Sequence, residues 1–297
     1  MKAEPDHYPV MASEVRDFFL NHDLELLVDC TLGMGGHVRA VLKDRGKRNI
    51  RVIACDCDPE SLQKARQNLA EFSEFIEYHR LNYTRLFKRA RLFSRKRGLL
   101  LVDQGLSRYQ IKDQRRGFSH SIDSGLDMRR DPDGTLTAGE VINRYSFNQL
   151  RDVFMRYGEI KNTDRLVQRI VERRLNGGIS TTGQLTAIVE EVSRWRPTPG
   201  KLHPAARVYQ ALRILVNNEL GDLEEFLDRV TGLQPGMAVV ILTYHSLEDR
   251  LVKRKFQDYE GRGKLRIIPP FPRFPRPDEI AQNPPSRSVR FRAGVRI

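Results

Sequence analysis

The sequence is poor in cysteine, with three thiols in 297 residues. Cys30, Cys55 and Cys57 are too few for a disulfide framework and suit a reducing compartment. Cys55-x-Cys57 lacks a fourth Cys or His at zinc spacing, so buried strand-end thiols are the preferred reading and no metal is expected. Long apolar runs are missing too. None approaches the ~18 residues needed to span a bilayer, and "MKAEPDHYPV" has no signal-peptide core. A cytoplasmic protein with no membrane partner is expected, with a mitochondrial matrix or plastid location after transit-peptide removal as the alternative. Acid is also short: Asp and Glu number 38 against 51 Lys and Arg, a net charge of +13. Such an excess points to a polyanionic partner.

That charge is uneven. "RLFKRARLFSRKR", Arg85 to Arg97, carries seven basic residues in thirteen and no acid. It reads equally as a solvated helix face and as a phosphate contact. The carboxyl-terminal "PPSRSVRFRAGVRI" repeats the basic signal with alternating spacing.

The length allows one large domain or two smaller ones. Short apolar runs at Leu26–Asp29, Val52–Asp56, Gly98–Asp103 and Ala238–Thr243 alternate with helical patterns at His37–Lys43 and Pro59–Phe72, the signature of a mostly parallel sheet covered by helices. After Gln110 the chain turns polar and turn-rich to Asp133. Amphipathic helices follow at Ala138–Tyr145, Phe147–Tyr157, Asp164–Leu175 and Thr182–Val192, with no strand among them. We therefore expect residues 1–110 and 206–297 to form a discontinuous α/β domain, and 111–205 to be an inserted helical substrate-recognition domain. "HPAARVYQALRILVNNELGDLEEFLDRV" reads as one long helix bent near Gly221, with Arg207, Gln210, Arg213 and Asn217 on a polar face that needs partners. The proline-rich Ile267–Pro285 is expected to be a surface wrap rather than helix or central strand.

A strand, a glycine turn and a helix in "LLVDCTLGMGGHVRAVL" suggest a nucleotide site. The dinucleotide fingerprint needs a glycine where this chain has Val38, and a P-loop needs Gly-Lys-Ser/Thr where it has Val38-Arg39-Ala40. Both phosphate-cradling readings fail. Asp29 ends the first strand and Asp56 the second, twenty residues after Gly36. An acid at the second strand end can accept both hydrogen bonds of a ribose diol. An acid at the first repels phosphate and favours a cationic ligand or an amine. S-adenosylmethionine offers a ribose, an α-amino group and a sulfonium, and no phosphate. Asp103 ends the third strand within "LLLVDQGLS", where strand carboxyl ends meet a ligand; an acid capping the following turn is the plainer alternative.

The ordered motifs "HYPVMASEV", "DCTLGMGGH", "ACDCDP", "VDQGLSRYQ", "RGFS", "LDMR", "YQALRILVNNEL", "YHSLEDRLVK" and "NPPSRSVRFR" closely resemble the ribosomal RNA small-subunit methyltransferase H family. The resemblance implies a class I (Rossmann-like) S-adenosylmethionine-dependent methyltransferase with an inserted helical domain. It also implies methylation of the exocyclic N4 of a cytidine in the decoding region of small-subunit rRNA. The implied cofactor residues are Gly33, Gly35, Gly36 and His37 in the turn, Asp56 on the ribose, Tyr83 near the adenine, and Asp103 and Gln110 beside the methionine end. Asp127, Arg129, Arg213 and Ser246 are implied cleft or substrate residues, for which a salt-bridge network or a helix cap is an equal explanation. Departures occur at Gln104 to Tyr109, at His120 where Phe is usual, and at Thr243-Tyr244 where Ser-Phe is usual.

Cytosine N4 is a poor nucleophile, and a carboxylate that accepts its hydrogen bond and then its proton would help it attack. Asp103 is assigned that role, and His245 is expected to face the target base, which must leave its stack. The expected partners are small-subunit rRNA, within the small ribosomal subunit, with a homodimer left open. Two other readings stand beside this one: a methyltransferase of another substrate such as DNA, and a non-catalytic rRNA-binding assembly factor.

Overall fold

Alternation along four apolar strands decides the architecture. The computed structural model describes residues 9–87, 97–197 and 202–297. Most of the Arg85 to Arg97 basic run lies outside them, as do His7 and Tyr8 of the first motif. In chain order come α1 (Ala12–Asn21), β1 (Leu26–Asp29), α2 (Gly36–Lys43), β2 (Arg51–Asp56), α3 (Pro59–Asn68), β3 (Ile76–Arg80) and β4 (Gly98–Asp103). Then follow α4 (Arg108–Lys112), α5 (Ala138–Arg144), α6 (Phe147–Gly158), α7 (Thr163–Arg174), α8 (Thr182–Ser193) and α9 (Ala205–Val216). The chain closes with α10 (Glu219–Val230), β5 (Ala238–Thr243), α11 (Ser246–Gly261), β6 (Leu265–Arg273), α12 (Pro277–Gln282) and β7 (Arg290–Arg296). None of the described helices is long and apolar enough to cross a membrane.

The chain divides into two compact units, one of residues up to Ser107 and from Leu220 onward, the other Arg108–Glu219. The first is a seven-stranded sheet of order β3-β2-β1-β4-β5-β7-β6. Strands β1 to β5 pair in parallel, and β7 runs antiparallel to both β5 and β6. Successive residues of each strand face opposite sides. Leu27, Val52, Ala54, Leu99, Leu101 and Val240 therefore join a core with α1, α2 and α3. Val28, Ile53, Leu100, Val102, Val239 and Ile241 join a second with α10 and α11.

The helical unit has a third core, built on Val141, Ile142, Leu150, Phe154, Ile170, Leu185 and Leu212. Three of its helices start in reciprocal capping boxes, Thr137 with Glu140, Ser146 with Gln149 and Thr181 with Gln184, each a Ser/Thr-x-x-Glu/Gln visible in the sequence. Gly117 of the "RGFS" motif has φ +67, and a Cβ there would lie 2.2 Å from the Gly125 carbonyl oxygen. Only glycine permits that approach.

Several expectations are revised. The expected long helix is two helices, broken at Asn217-Asn218 rather than near Gly221, where Asn218 adopts φ +49. The Asn217 amide donates to the Met128 and Arg213 carbonyls and accepts from the Arg130 N–H, so the break is stitched to the 128–130 loop. The buried face of α9 lies in the third core, which sets the unit boundary after Glu219 instead of near residue 205. The proline-rich segment begins as β6, an edge strand, where a missing N–H costs no ladder bond, and continues as α12 with proline in its first turn. The carboxyl-terminal arginines sit on β7: Arg292 is buried and holds Asp249 with two hydrogen bonds, of 2.7 and 3.1 Å, and Arg296 donates to the Thr231 and Lys264 carbonyls.

Candidate cofactor and active site

Strand order reverses between β1 and β4, and in open α/β sheets ligands bind beyond the carboxyl ends at such a point. Asp29 ends β1, Asp56 ends β2 and Asp103 ends β4, so three carboxylates share this edge.

Asp29 is fully buried. Its Oδ1 accepts the Thr31 N–H at 3.1 Å, while Oδ2 has no partner among the described residues. Burial, with the nearby carboxylates Asp103 and Asp56 adding to it, pushes this acid up to about 7. A cation or ammonium beside Oδ2 would relieve the cost of ionising it.

Asp56 is committed to the loop. Its Oδ2 accepts the Gly33 N–H at 2.8 Å and its Oδ1 the Asp58 N–H at 2.9 Å. Asp58, also buried, caps α3 through the Glu60 N–H and the Ser61 hydroxyl.

The glycines of the turn differ in purpose. Gly35 has φ +81, and a Cβ there would lie 2.5 Å from Leu69; one at Gly36 would lie 2.8 Å from Pro9. Both are small to let the turn pack. At Gly33, with φ +52, the nearest atom to a Cβ is the Thr31 carbonyl oxygen at 4.0 Å, so here the positive φ rather than crowding calls for glycine.

His37 lies in the first turn of α2, buried, with Nε2 3.4 Å from Asp103 Oδ2 and Nδ1 unpartnered among the described residues. Burial works against its imidazolium, but the hydrogen bond and charge of Asp103, with the charge of Asp29, outweigh it and raise its pKa. Asp103 shows the counterpart. Burial alone would raise its pKa, yet the hydrogen bond and charge of His37, the Tyr244 phenol and the Gly105 N–H bring it below the usual carboxylate range. The backbone holds it as well: the Asp103 N–H donates to Thr31 Oγ1 at 2.7 Å, and the Gly105 N–H to Asp103 Oδ1 at 3.2 Å.

Two residues at this edge were noticed in the sequence only as departures. Tyr244 directly follows β5, the strand beside β4. Its ring lies over Gly105, where a Cβ would come within 2.6 Å of the ring carbon bearing the hydroxyl, and that hydroxyl hydrogen-bonds Asp103. Gln104 is buried and donates from Nε2 to the Tyr83 hydroxyl at 3.0 Å. Tyr83 itself is buried, edge-on to Phe226 at 5.6 Å. The sequence shows the unusual residue types, but only strand adjacency pairs them with partners. The third departure is likewise absorbed: within the helical unit His120 stacks on His203 at 4.6 Å.

The cap of α11 sits one residue earlier than its Ser246–Asp249 spacing suggests. His245 is the N-cap, its Nδ1 accepting the Glu248 N–H at 3.4 Å, while the Glu248 carboxylate accepts the N–H groups of Tyr244 and His245. His245 Nε2 lies 3.1 Å from Glu248 Oε1, so both ring nitrogens stand beside the cap. Ser246 is the first helical residue, and Asp249 belongs to the Arg292 pair.

The remaining sequence-derived residues belong to the helical unit. Gln110 is buried on α4. Arg129 forks onto Asp127, with Nε at 2.9 Å from Oδ1 and Nη2 at 2.6 Å from Oδ2, and gives Nη1 to the Pro132 and Gly134 carbonyls. Arg213 pairs with Glu219 at 3.0 Å. These contacts tie a loop and a helix break, which is the structural alternative for all three residues.

A parallel sheet with one reversed strand, a glycine turn after its first strand and three strand-end acids define a class I methyltransferase fold. The description of the MraW methylase family matches residues 4–297, and the chain belongs to that family. It is 37% identical to a ribosomal RNA small subunit methyltransferase H of Nitratidesulfovibrio vulgaris (strain DP4), over 98% of this chain and 95% of that one. Its identity to the protein of the same name from Sulfurihydrogenibium sp. is also 37%, over 98% of this chain and 99% of the relative. To that of Acidothermus cellulolyticus it is 38% identical, over 98% and 94%.

Proposed function

We propose that the chain transfers the methyl group of S-adenosylmethionine to the exocyclic N4 of a cytidine in small-subunit rRNA. The observation that carries this reading is Asp103, a carboxylate kept ionised at the switch point by His37, Tyr244 and the Gly105 N–H. The names of the relatives supply the substrate class. The edge suits the cofactor: Asp29 Oδ2 is a buried acceptor, unpartnered among the described residues, for an ammonium, Asp56 is the assigned partner of the ribose, and the space beside Gly33 is uncrowded. Tyr83 and Gln110 are the assigned neighbours of the adenine and of the methionine end.

When bound, the cofactor supplies an electrophilic methyl whose bond to sulfur breaks with both electrons leaving on sulfur. The N4 lone pair is delocalised into the cytosine ring. Asp103 accepts an N4–H hydrogen bond, which favours the pyramidal amine with its lone pair free for in-line attack. As the new N–C bond forms, N4 becomes a strongly acidic ammonium and Asp103 takes its proton. His37 and Tyr244 keep the carboxylate oriented and ionised beforehand. The helical unit is assigned to RNA recognition, and the reaction to whichever compartment assembles small subunits, a cytoplasm or an organelle interior.

The alternative of a non-catalytic factor drew on the altered residues after Asp103. Gln104 and Tyr244 both find hydrogen-bond partners and leave the carboxylate in place, which favours the enzyme. Transfer of labelled methyl to small subunits, free rRNA and DNA, followed by nucleoside analysis, separates the readings. N4-methylcytidine from rRNA is the expected product; label in DNA alone, or none at all, would refute it. Asp103→Ala should abolish transfer with the melting temperature retained, and a fully active variant would remove Asp103 from the mechanism.

A further inference from the structure

Several arginines of the helical unit are neutralised within it. Arg129 pairs with Asp127, Arg144 with Glu140, Arg151 with Asp164, Arg156 with Asp152, and Arg169 with Glu172 and Glu191. Around one cavity this neutralisation stops. The cavity, about 520 Å³, opens between the start of α7, the end of α8 and the start of α9. Its floor is apolar, with Ile160, Val192 and Pro204 partly exposed over the buried Leu166, Val189 and Val208, and its rim carries Lys161, Arg165 and Arg207, with no acid among the described residues of the lining. Among the described residues Lys161 and Arg165 have no ion-pair or hydrogen-bond partner. Arg207 makes a single hydrogen bond, from Nη1 to the Glu159 carbonyl at 3.2 Å.

Three unneutralised cations at one rim repel one another, and apolar side chains left partly exposed beneath them give up burial, so neither feature serves folding. One ligand chemistry answers both features: a polyanion that also carries flat apolar faces. Single-stranded RNA is such a ligand, because its phosphates can meet the cations and an unstacked base can lie on the floor. A duplex offers the phosphates but keeps its base faces stacked. The volume falls in the ~300–1,000 Å³ range of small-ligand sites, which is room for one nucleotide.

We infer that this cavity seats one unpaired nucleotide of the RNA substrate, a site distinct from the strand-end acids that serve the chemistry. The inference rests on the rRNA reading above. Phosphate neutralisation positions the RNA, and the cavity adds a preference for single-stranded over duplex segments.

The test uses the full-length protein, a fluorescent single-stranded oligoribonucleotide and its duplex form, titrated over a range of salt. The triple variant Lys161→Gln, Arg165→Gln, Arg207→Gln should lose about tenfold in single-strand affinity near ~0.1 M salt. Its slope of log affinity against log salt should flatten by about 2, the value for three phosphates at ~0.7 each. S-adenosylmethionine affinity and melting temperature should not change. Ser193→Trp, which obstructs the mouth from the exposed end of α8 without removing charge, should lower single-strand affinity and keep the wild-type slope. Wild-type affinity in the triple variant overturns the inference. So does a weakened triple variant beside a normal Ser193→Trp, which would mean diffuse surface charge, and so does equal competition by an acidic peptide of matched charge, which would mean a protein partner. A wild-type chain that binds no RNA refutes the rRNA reading itself, whereas RNA binding indifferent to all these substitutions refutes only the cavity.

Discussion

Asp29, Asp56 and Asp103 end neighbouring strands, yet their surroundings give them different tasks. Asp56 is spent on two backbone N–H groups, Asp103 is held ionised, and Asp29 is left half-satisfied with its pKa pushed up to about 7 by burial. A raised carboxyl pKa means the folded state binds the extra proton, so between the unfolded value of 3.8 and about 7 stability falls as pH rises. Asp29→Asn should therefore raise the melting temperature at pH 8, by up to about 4 kcal/mol of stability at ~1.4 per pKa unit. That gain should vanish in acid below the unfolded value, and calorimetry should show weaker S-adenosylmethionine binding. A variant that melts like the wild type at every pH would mean Asp29 bears no such strain. Tyr244 is the complementary case. It donates to the charged form of Asp103 and so lowers that pKa. Tyr244→Phe should raise it and move the acid limb of the transfer rate to higher pH, as a lost charge-assisted hydrogen bond would. Activity on the plateau should change less, and an unmoved acid limb would leave Tyr244 a packing role only.

Secondary elements explain why some of this was visible beforehand. Four strands and six helices are legible because burial on one or two faces imposes periods of two or 3.6, and because capping boxes carry their own sequence pattern. Strands β3, β6 and β7 were missed. β3 is only partly buried, β6 holds three prolines, and β7 alternates arginine with apolar residues in a way that reads as a nucleic-acid tail. Arg292 shows why the reading fails. Its guanidinium is buried against Asp249 of α11, with Arg290 3.3 Å from the same carboxylate. The pair ties the reversed strand to the helix after β5. Arg292→Ala would leave Asp249 buried beside a single half-exposed cation, and should cost about 3–5 kcal/mol in urea unfolding. Arg292→Lys should recover only part of this because it cannot form the fork. A loss below about 1 kcal/mol for the alanine variant would show that the pair is not structural.

Across the whole chain, two cores clasp the sheet and a third fills the helical unit. Phe154 is fully buried in the third core, and Phe154→Ala should cost about 3–5 kcal/mol there. Hydrogen exchange should then show α5 to α9 losing protection while β1, β4 and β5 keep theirs, since cooperative units open separately. Equal loss across the sheet strands would argue that the two units unfold as one.

The sequence alone settled which segments become the central strands, which turn lacks the dinucleotide and P-loop patterns, and which acids stand at strand ends. Those features are local, written in apolar period, glycine position and the residue that closes each run. Only the tertiary structure decided how Asp29, Asp56 and Asp103 differ, why Gly35 and Gly36 are glycines, where Tyr244 and Gln104 find partners, and which arginines remain free of acid. Each of these depends on what a non-adjacent strand or helix brings within hydrogen-bond distance or seals from water. No spacing along the chain encodes that proximity.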